Sequence, residues 1–105
     1  NLIYDYVRDN FKRNISLEEI SAEAAMTVPA FCRYFKKISN KTFTHFVNEH
    51  RVVHASKLLS EGNLNITDIC YACGFNNISH FNRQFKEITG KSPSDYRKAI
   101  RRVVR

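Results

Sequence analysis

Phe31-Cys-Arg-Tyr-Phe-Lys-Lys-Ile38 returns fifty residues later as Phe81-Asn-Arg-Gln-Phe-Lys-Glu-Ile88. Arg33 becomes Arg83, and Lys36 becomes Lys86. The likeness extends outward on both sides. Asn40-Lys41-Thr42 returns as Gly90-Lys91-Ser92, and Phe46 matches Tyr96. Upstream the offset is 49: Leu17 pairs with Ile66, Ile20 with Ile69, Ala24 with Cys73 and Ala25 with Gly74. The second copy carries one extra residue at the start of its second helix.

Each copy reads as a short helix, a tight turn and a longer helix, because apolar residues recur at three- and four-residue spacing. Leu2, Ile3, Tyr6 and Val7 mark a preceding helix that ends near Asn10. Ser16 is an N-cap, with Glu19 placed to reach back to it in a capping box. Thr27 caps the next helix, with Pro29 in its first turn, although Val28 before proline is disfavoured in helical geometry. Phe31, Tyr34, Phe35 and Ile38 form its apolar side, and Asn40 suits a left-handed end. The longest helix runs from Phe43 to Leu59, with Phe46, Val47, His50, Val53, Lys57 and Leu58 on one broad face. Glu61-Gly62-Asn63 breaks it. Asn65 caps a short helix with Ile66, Ile69 and Cys73 inward. After the Cys73-Gly74-Phe75 turn, Asn76 or Asn77 caps a helix whose inner side is Ile78, Phe81, Phe85 and Ile88. Ser92-Pro93-Ser94-Asp95 opens the last helix.

The expected fold is all-α. Seven helices form two helix-turn-helix lobes, at residues 1–42 and 62–105, joined by a long central helix at 43–61. The second lobe ends in a basic tail. Gly74 fits a left-handed turn position at no steric cost. Ala25 occupies the matching place and should cost about 1 kcal/mol or slightly more there.

The 105 residues carry 17 basic and 10 acidic groups, for a formal charge of +7. Such a balance favours an acidic partner, and its distribution is informative. No Asp or Glu lies between Glu23 and Glu49, where Arg33, Lys36, Lys37 and Lys41 fall. Between Asp68 and Glu87 the only charged residues are Arg83 and Lys86. These acid-free stretches coincide with the two second helices of the repeat. A further five basic residues lie from Arg97 to Arg105.

Three cysteines without a paired pattern argue for a reducing compartment, hence a cytoplasmic location. Cys70-Tyr-Ala-Cys73 has zinc-ligand spacing but lacks two further ligands, so these are read as buried small hydrophobes. His45, His50, His54 and His80 fit no metal motif. No phosphate loop, nucleophile elbow or carboxylate pair is present. The reading is therefore a non-enzyme with no metal, no cofactor and no membrane span.

Opposite the apolar stripes lie Pro29, Cys32, Arg33 and Lys36 in the first copy and Ser79, Asn82, Arg83 and Lys86 in the second, with His80 at its flank. Arg can bond guanine and Asn adenine in bidentate fashion. Ala30 and Cys32 offer small apolar surface for thymine methyls. The expected partner is double-stranded DNA, with the second helix the sharper reader. The competing reading is a helical interaction module that docks an acidic protein.

The stretch from Ile69 to Arg97 resembles the signature of the AraC/XylS family of bacterial transcription regulators. It carries I-x-x-x-x-G-F, then S-x-F-x-R-x-F-K, then G-x-S-P-x-x-Y-R. In the first half the likeness rests on Phe31 to Lys36 and on Arg51-Val-Val-His-Ala-Ser-Lys-Leu-Leu59. The resemblance implies a C-terminal DNA-binding domain whose two recognition helices enter successive major-groove segments about 10 bp apart. Carried over by position, the base readers are Pro29, Ala30, Cys32 and Arg33, then Ile78, Ser79, His80, Asn82 and Arg83. It also implies a separate effector-binding or dimerisation domain, and RNA polymerase is a further candidate partner. Ala25 and Asn40 depart from the family, which usually has Gly or Asn at the first position and Gly at the second.

Overall fold

The computed structural model describes residues 1–103. Among these the chain forms α1 (Leu2–Asn10), α2 (Leu17–Glu23), α3 (Val28–Ser39), α4 (Phe43–Glu61), α5 (Ile66–Ala72), α6 (Ile78–Thr89) and α7 (Pro93–Val103). Two compact units divide inside α4, the first Asn1–His50 and the second beginning at Arg51.

Side-chain caps account for most helix starts. Ser16 Oγ accepts from the Glu19 N–H at 3.0 Å, Thr27 Oγ1 from Ala30 at 3.3 Å and Thr42 Oγ1 from His45 at 3.1 Å. Asn65, Asn77 and Ser92 do the same for Asp68, His80 and Asp95 at 2.8, 2.9 and 3.2 Å. Each satisfies a backbone donor that helix geometry leaves open. Val28 is the first helical residue, so the strain before Pro29 falls at a helix edge and leaves the helix intact.

Both short helices end in the same way. The Met26 N–H reaches Ser21 C=O at 2.9 Å and the Ala25 N–H reaches Ala22 C=O at 3.0 Å. In the second copy Phe75 reaches Cys70 at 3.2 Å and Gly74 reaches Tyr71 at 3.1 Å. These paired bonds are Schellman ends, which need a left-handed residue. Gly74 has φ +100° and Ala25 has φ +57°. The alanine accepts the strain expected of it. Ala25→Gly should therefore raise unfolding stability by about 0.5–1 kcal/mol. Denaturant unfolding of the two proteins checks this, and an unchanged midpoint would contradict it. Asn40, at φ +60°, is the left-handed end of α3, as Gly90 is of α6 at φ +87°.

Two aromatic cores sit under the long helix of each copy. In the first unit Phe31, Phe35, Val7 and Ile20 are fully buried. Phe31 and Phe35 pack at 5.8 Å, and Phe46 meets Phe35 edge-on at 5.3 Å. In the second unit Phe81 and Phe85 also pack at 5.8 Å, and Tyr96 meets Phe85 edge-on at 5.3 Å. The sequence repeat is thus a repeat of ring packing. Ser39 and Thr89 add a matching brace, donating to the Phe35 and Phe85 carbonyls at 2.7 and 2.8 Å.

Three expectations are corrected and a fourth is supplemented. The apolar side of α3 is narrower than its periodicity suggests, since Tyr34 and Ile38 are 39% and 44% exposed. The buried positions of α4 are Phe43, Val47, Asn48, Val52, Ala55 and Leu59, while Val53 is 68% exposed. The five-residue step from Val47 to Val52 breaks any single stripe, because each half of α4 serves a different core. The capping box is present, with the Glu19 carboxylate reaching the Ser16 N–H, but Arg13 and Tyr6 bond that carboxylate as well and more strongly. Hydrogen bonds from Arg13 and then Tyr6 hold its pKa down at about 2. The basic tail is no tail through Val103, for α7 continues that far. Arg105 lies outside the described residues.

Candidate nucleic-acid interface

α3 and α6 each run for 12 residues and bury one side. With Phe31 and Phe35 turned inward, helical spacing puts Pro29, Cys32, Arg33 and Lys36 on the outside, and all four are exposed. With Phe81 and Phe85 inward, Ser79, Asn82, Arg83 and Lys86 are exposed in the same phase. Ala30 is half-buried at the margin of the first face.

Arg33 and Arg83 have no carboxylate partner among the described residues. Their guanidinium groups keep five donors each for an outside acceptor. Lys36 only reaches the Asn40 carbonyl, at 3.4 Å. The outer face of α6 therefore offers the donors and acceptors of Ser79, Asn82 and Arg83. That of α3 offers Arg33 beside the small surfaces of Pro29 and Cys32.

Two predicted readers on α6 are less free than its other outer residues. Ile78 is half-buried against the second core. His80 is half-buried, with its ring edge-on to Phe75 at 5.5 Å. Phe75 belongs to the turn just before α6, so the turn fixes how the imidazole is presented.

Some of the positive charge is committed elsewhere. Lys41 pairs with Glu49 at 2.7 Å. The Arg51 guanidinium stands over the Phe75 ring, 5.5 Å from its centroid, and burial lowers its pKa. Arg97 is half-buried, donates from Nε to the Leu59 carbonyl at 3.3 Å, and is likewise pulled down by burial. That bond ties it to the end of α4, so it is not part of a free basic extension. Burial raises the pKa of the Cys70 thiol, and neither Cys70 nor Cys73 is accessible, while Cys32 is exposed. Among the described residues no His, Cys, Asp and Glu group could hold a metal ion. No helix there is long and apolar enough to cross a membrane.

Known proteins share this arrangement. A helix-turn-helix domain family matches residues 20–99. YdeC of Bacillus subtilis, an uncharacterised HTH-type transcriptional regulator, is 30% identical over 94 residues, covering 90% of this chain and 32% of its own length. The HTH-type transcriptional activator RhaS of Klebsiella pneumoniae is 29% identical over 97 residues, covering 92% of this chain and 35% of its own. The chain thus spans about a third of these two relatives, and 13% of a staphylococcal one. A probable AraC family transcriptional regulator from Rhodopseudomonas palustris superposes with a TM-score of 0.87 at 25% identity, over 94% of each chain. The DNA-binding domain of AdpA, solved with a target DNA, has the same fold, with a TM-score of 0.89 at 22% identity over 97% and 92% of the two chains. This chain belongs to the AraC-type helix-turn-helix domain family, whose members and fold are those of transcription regulators and not of enzymes.

Proposed function

We propose that the chain is the sequence-specific DNA-binding part of a bacterial transcription regulator acting in the cytoplasm. Residues 1–42 and 62–105 each supply a helix-turn-helix lobe, with residues 43–61 as their connector. Pro29, Ala30, Cys32, Arg33 and Lys36 on α3, and Ile78, Ser79, His80, Asn82, Arg83 and Lys86 on α6, face the major groove. The observation that carries this is the recurrence of an exposed, carboxylate-free Arg and Lys at one helical phase on both second helices. The AdpA domain, of the same fold, was solved on DNA, which supports the reading. The YdeC and RhaS relatives are about three times longer, which leaves room for an effector-binding or dimerisation domain; RNA polymerase is the further partner this assignment adds.

Cys32 offers a direct test, being the exposed thiol while Cys70 and Cys73 are buried. A maleimide should label Cys32 alone in the folded protein. A duplex selected from random DNA should slow that labelling, and polyglutamate should not. Prior alkylation should in turn weaken binding of the duplex, since it adds bulk to the α3 face. Failure to select any preferred duplex, or protection by polyglutamate alone, would favour an acidic protein partner and defeat the proposal.

A further inference from the structure

Between the end of α6 and α7 the second unit holds a cavity of about 390 Å³. Lys86, Lys91, Lys98 and Arg102 line it, together with Ser92 and Asp95. Four cations thus face one carboxylate, and none of the four forms an ion pair among the described residues. Like charges gathered in a concavity repel one another and raise the local positive potential, which a compact anion relieves. The Ser92 hydroxyl, which caps α7 by accepting from Asp95 at 3.2 Å, can still donate its own proton into the site.

The first copy of the repeat lacks this cluster, and the residue changes say why. At the same offset of fifty, Lys91 answers to Lys41, but Lys98 answers to Asn48, Ala99 to Glu49 and Arg102 to Val52. Asn48 and Val52 are buried, and Glu49 neutralises Lys41 at 2.7 Å. The second copy has Ala99 where the first has Glu49 and carries the two extra cations, with Asp95, in place of His45, as its one carboxylate. Lys86 belongs both to this cavity and to the exposed face of α6.

We propose that the α6–α7 cavity is a phosphate-binding site that grips one phosphate of the DNA backbone beside the α6 reading face. The assignment rests on the DNA-binding reading above. Lys86 joins the two functions, so the backbone grip adds affinity beside the face on which Asn82 and Arg83 meet the bases.

The experiment compares the protein with Lys91→Gln/Lys98→Gln on its selected duplex, with affinity measured against salt concentration. For every phosphate that is no longer neutralised, the slope of log affinity against log salt should flatten by about 0.9. The preference over unrelated duplex should be retained, because the cavity reads no base. Lys91→Arg/Lys98→Arg should restore the slope, and Lys41→Gln, which removes an already paired cation, should leave it nearly unchanged. A wild-type slope in the Gln variant would overturn the cavity's role while leaving DNA binding intact. Absence of any preferred duplex for the unaltered protein would overturn both. Inorganic pyrophosphate is the second probe, followed by amide shifts of residues 91–102. Tight pyrophosphate binding there, with DNA affinity unmoved by the Gln variant, would reassign the site to a free polyphosphate and defeat the proposal.

Discussion

Phe85→Ala should cost about 3–5 kcal/mol of unfolding stability, the range for truncating a fully buried phenylalanine. Phe85 is 0% exposed and sits between two other rings, Phe81 at 5.8 Å and Tyr96 at 5.3 Å. Removing it takes away the packing surface of both neighbouring rings. It leaves a void that Leu59 and Ile69, themselves fully buried, cannot move to fill without giving up their own packing. A unit of this size has little stability to spare. The expected result is a second unit largely unfolded near body temperature. Urea unfolding followed by helical circular dichroism measures this. A loss below about 1 kcal/mol would mean that the second core is far more adaptable than its ring geometry implies.

Arg83→Ala should weaken binding of the preferred duplex by about 1–3 kcal/mol, or roughly 5- to 150-fold in Kd. The effect should be confined to one base position. Arg83 is exposed on α6, has no carboxylate partner among the described residues, and follows Asn82 on the same outer face. Without its bidentate bond to guanine, the choice of base relaxes at that position while other positions keep theirs. Binding to a panel of single-base variants of the duplex distinguishes the outcomes. If the variant instead loses affinity equally for every sequence, Arg83 binds a phosphate and base reading falls to Ser79, His80 and Asn82.

What could be read from the chain alone was whatever depends on near neighbours. Ser16, Thr27, Asn65 and Asn77 cap helices because their acceptors lie three residues from the donors they satisfy. The strain at Ala25 was legible because Gly74 stood in the same place in the second copy. What could not be read came from further away. Besides the Ser16 N–H, the Glu19 carboxylate takes bonds from Arg13, six residues away, and Tyr6, thirteen away, which the local capping box does not encode. The exposure of Val53 depends on α4 changing cores midway, which no local period encodes. At the candidate interface, periodicity sufficed for the outer stripes. It missed the half-burial of Ile78 and His80, which comes from the second core and from Phe75 in the preceding turn. The charge count likewise overstated the free cations, since Lys41, Arg51 and Arg97 are engaged within the fold.

The division of α4 between two cores has a consequence for how the molecule melts. From Arg51 to Glu61 the helix is anchored by Val52, Ala55 and Leu59, all in the second core. If that core opens, this half is left shorter than the roughly 12–15 residues at which even a good helix is marginal alone in water. Its hydrogen-bond ladder should unzip from the Glu61 end toward His50, where the buried Val47 and Asn48 of the first unit take hold. In hydrogen exchange a single continuous helix would then show two protection levels, with the step falling inside it near Arg51.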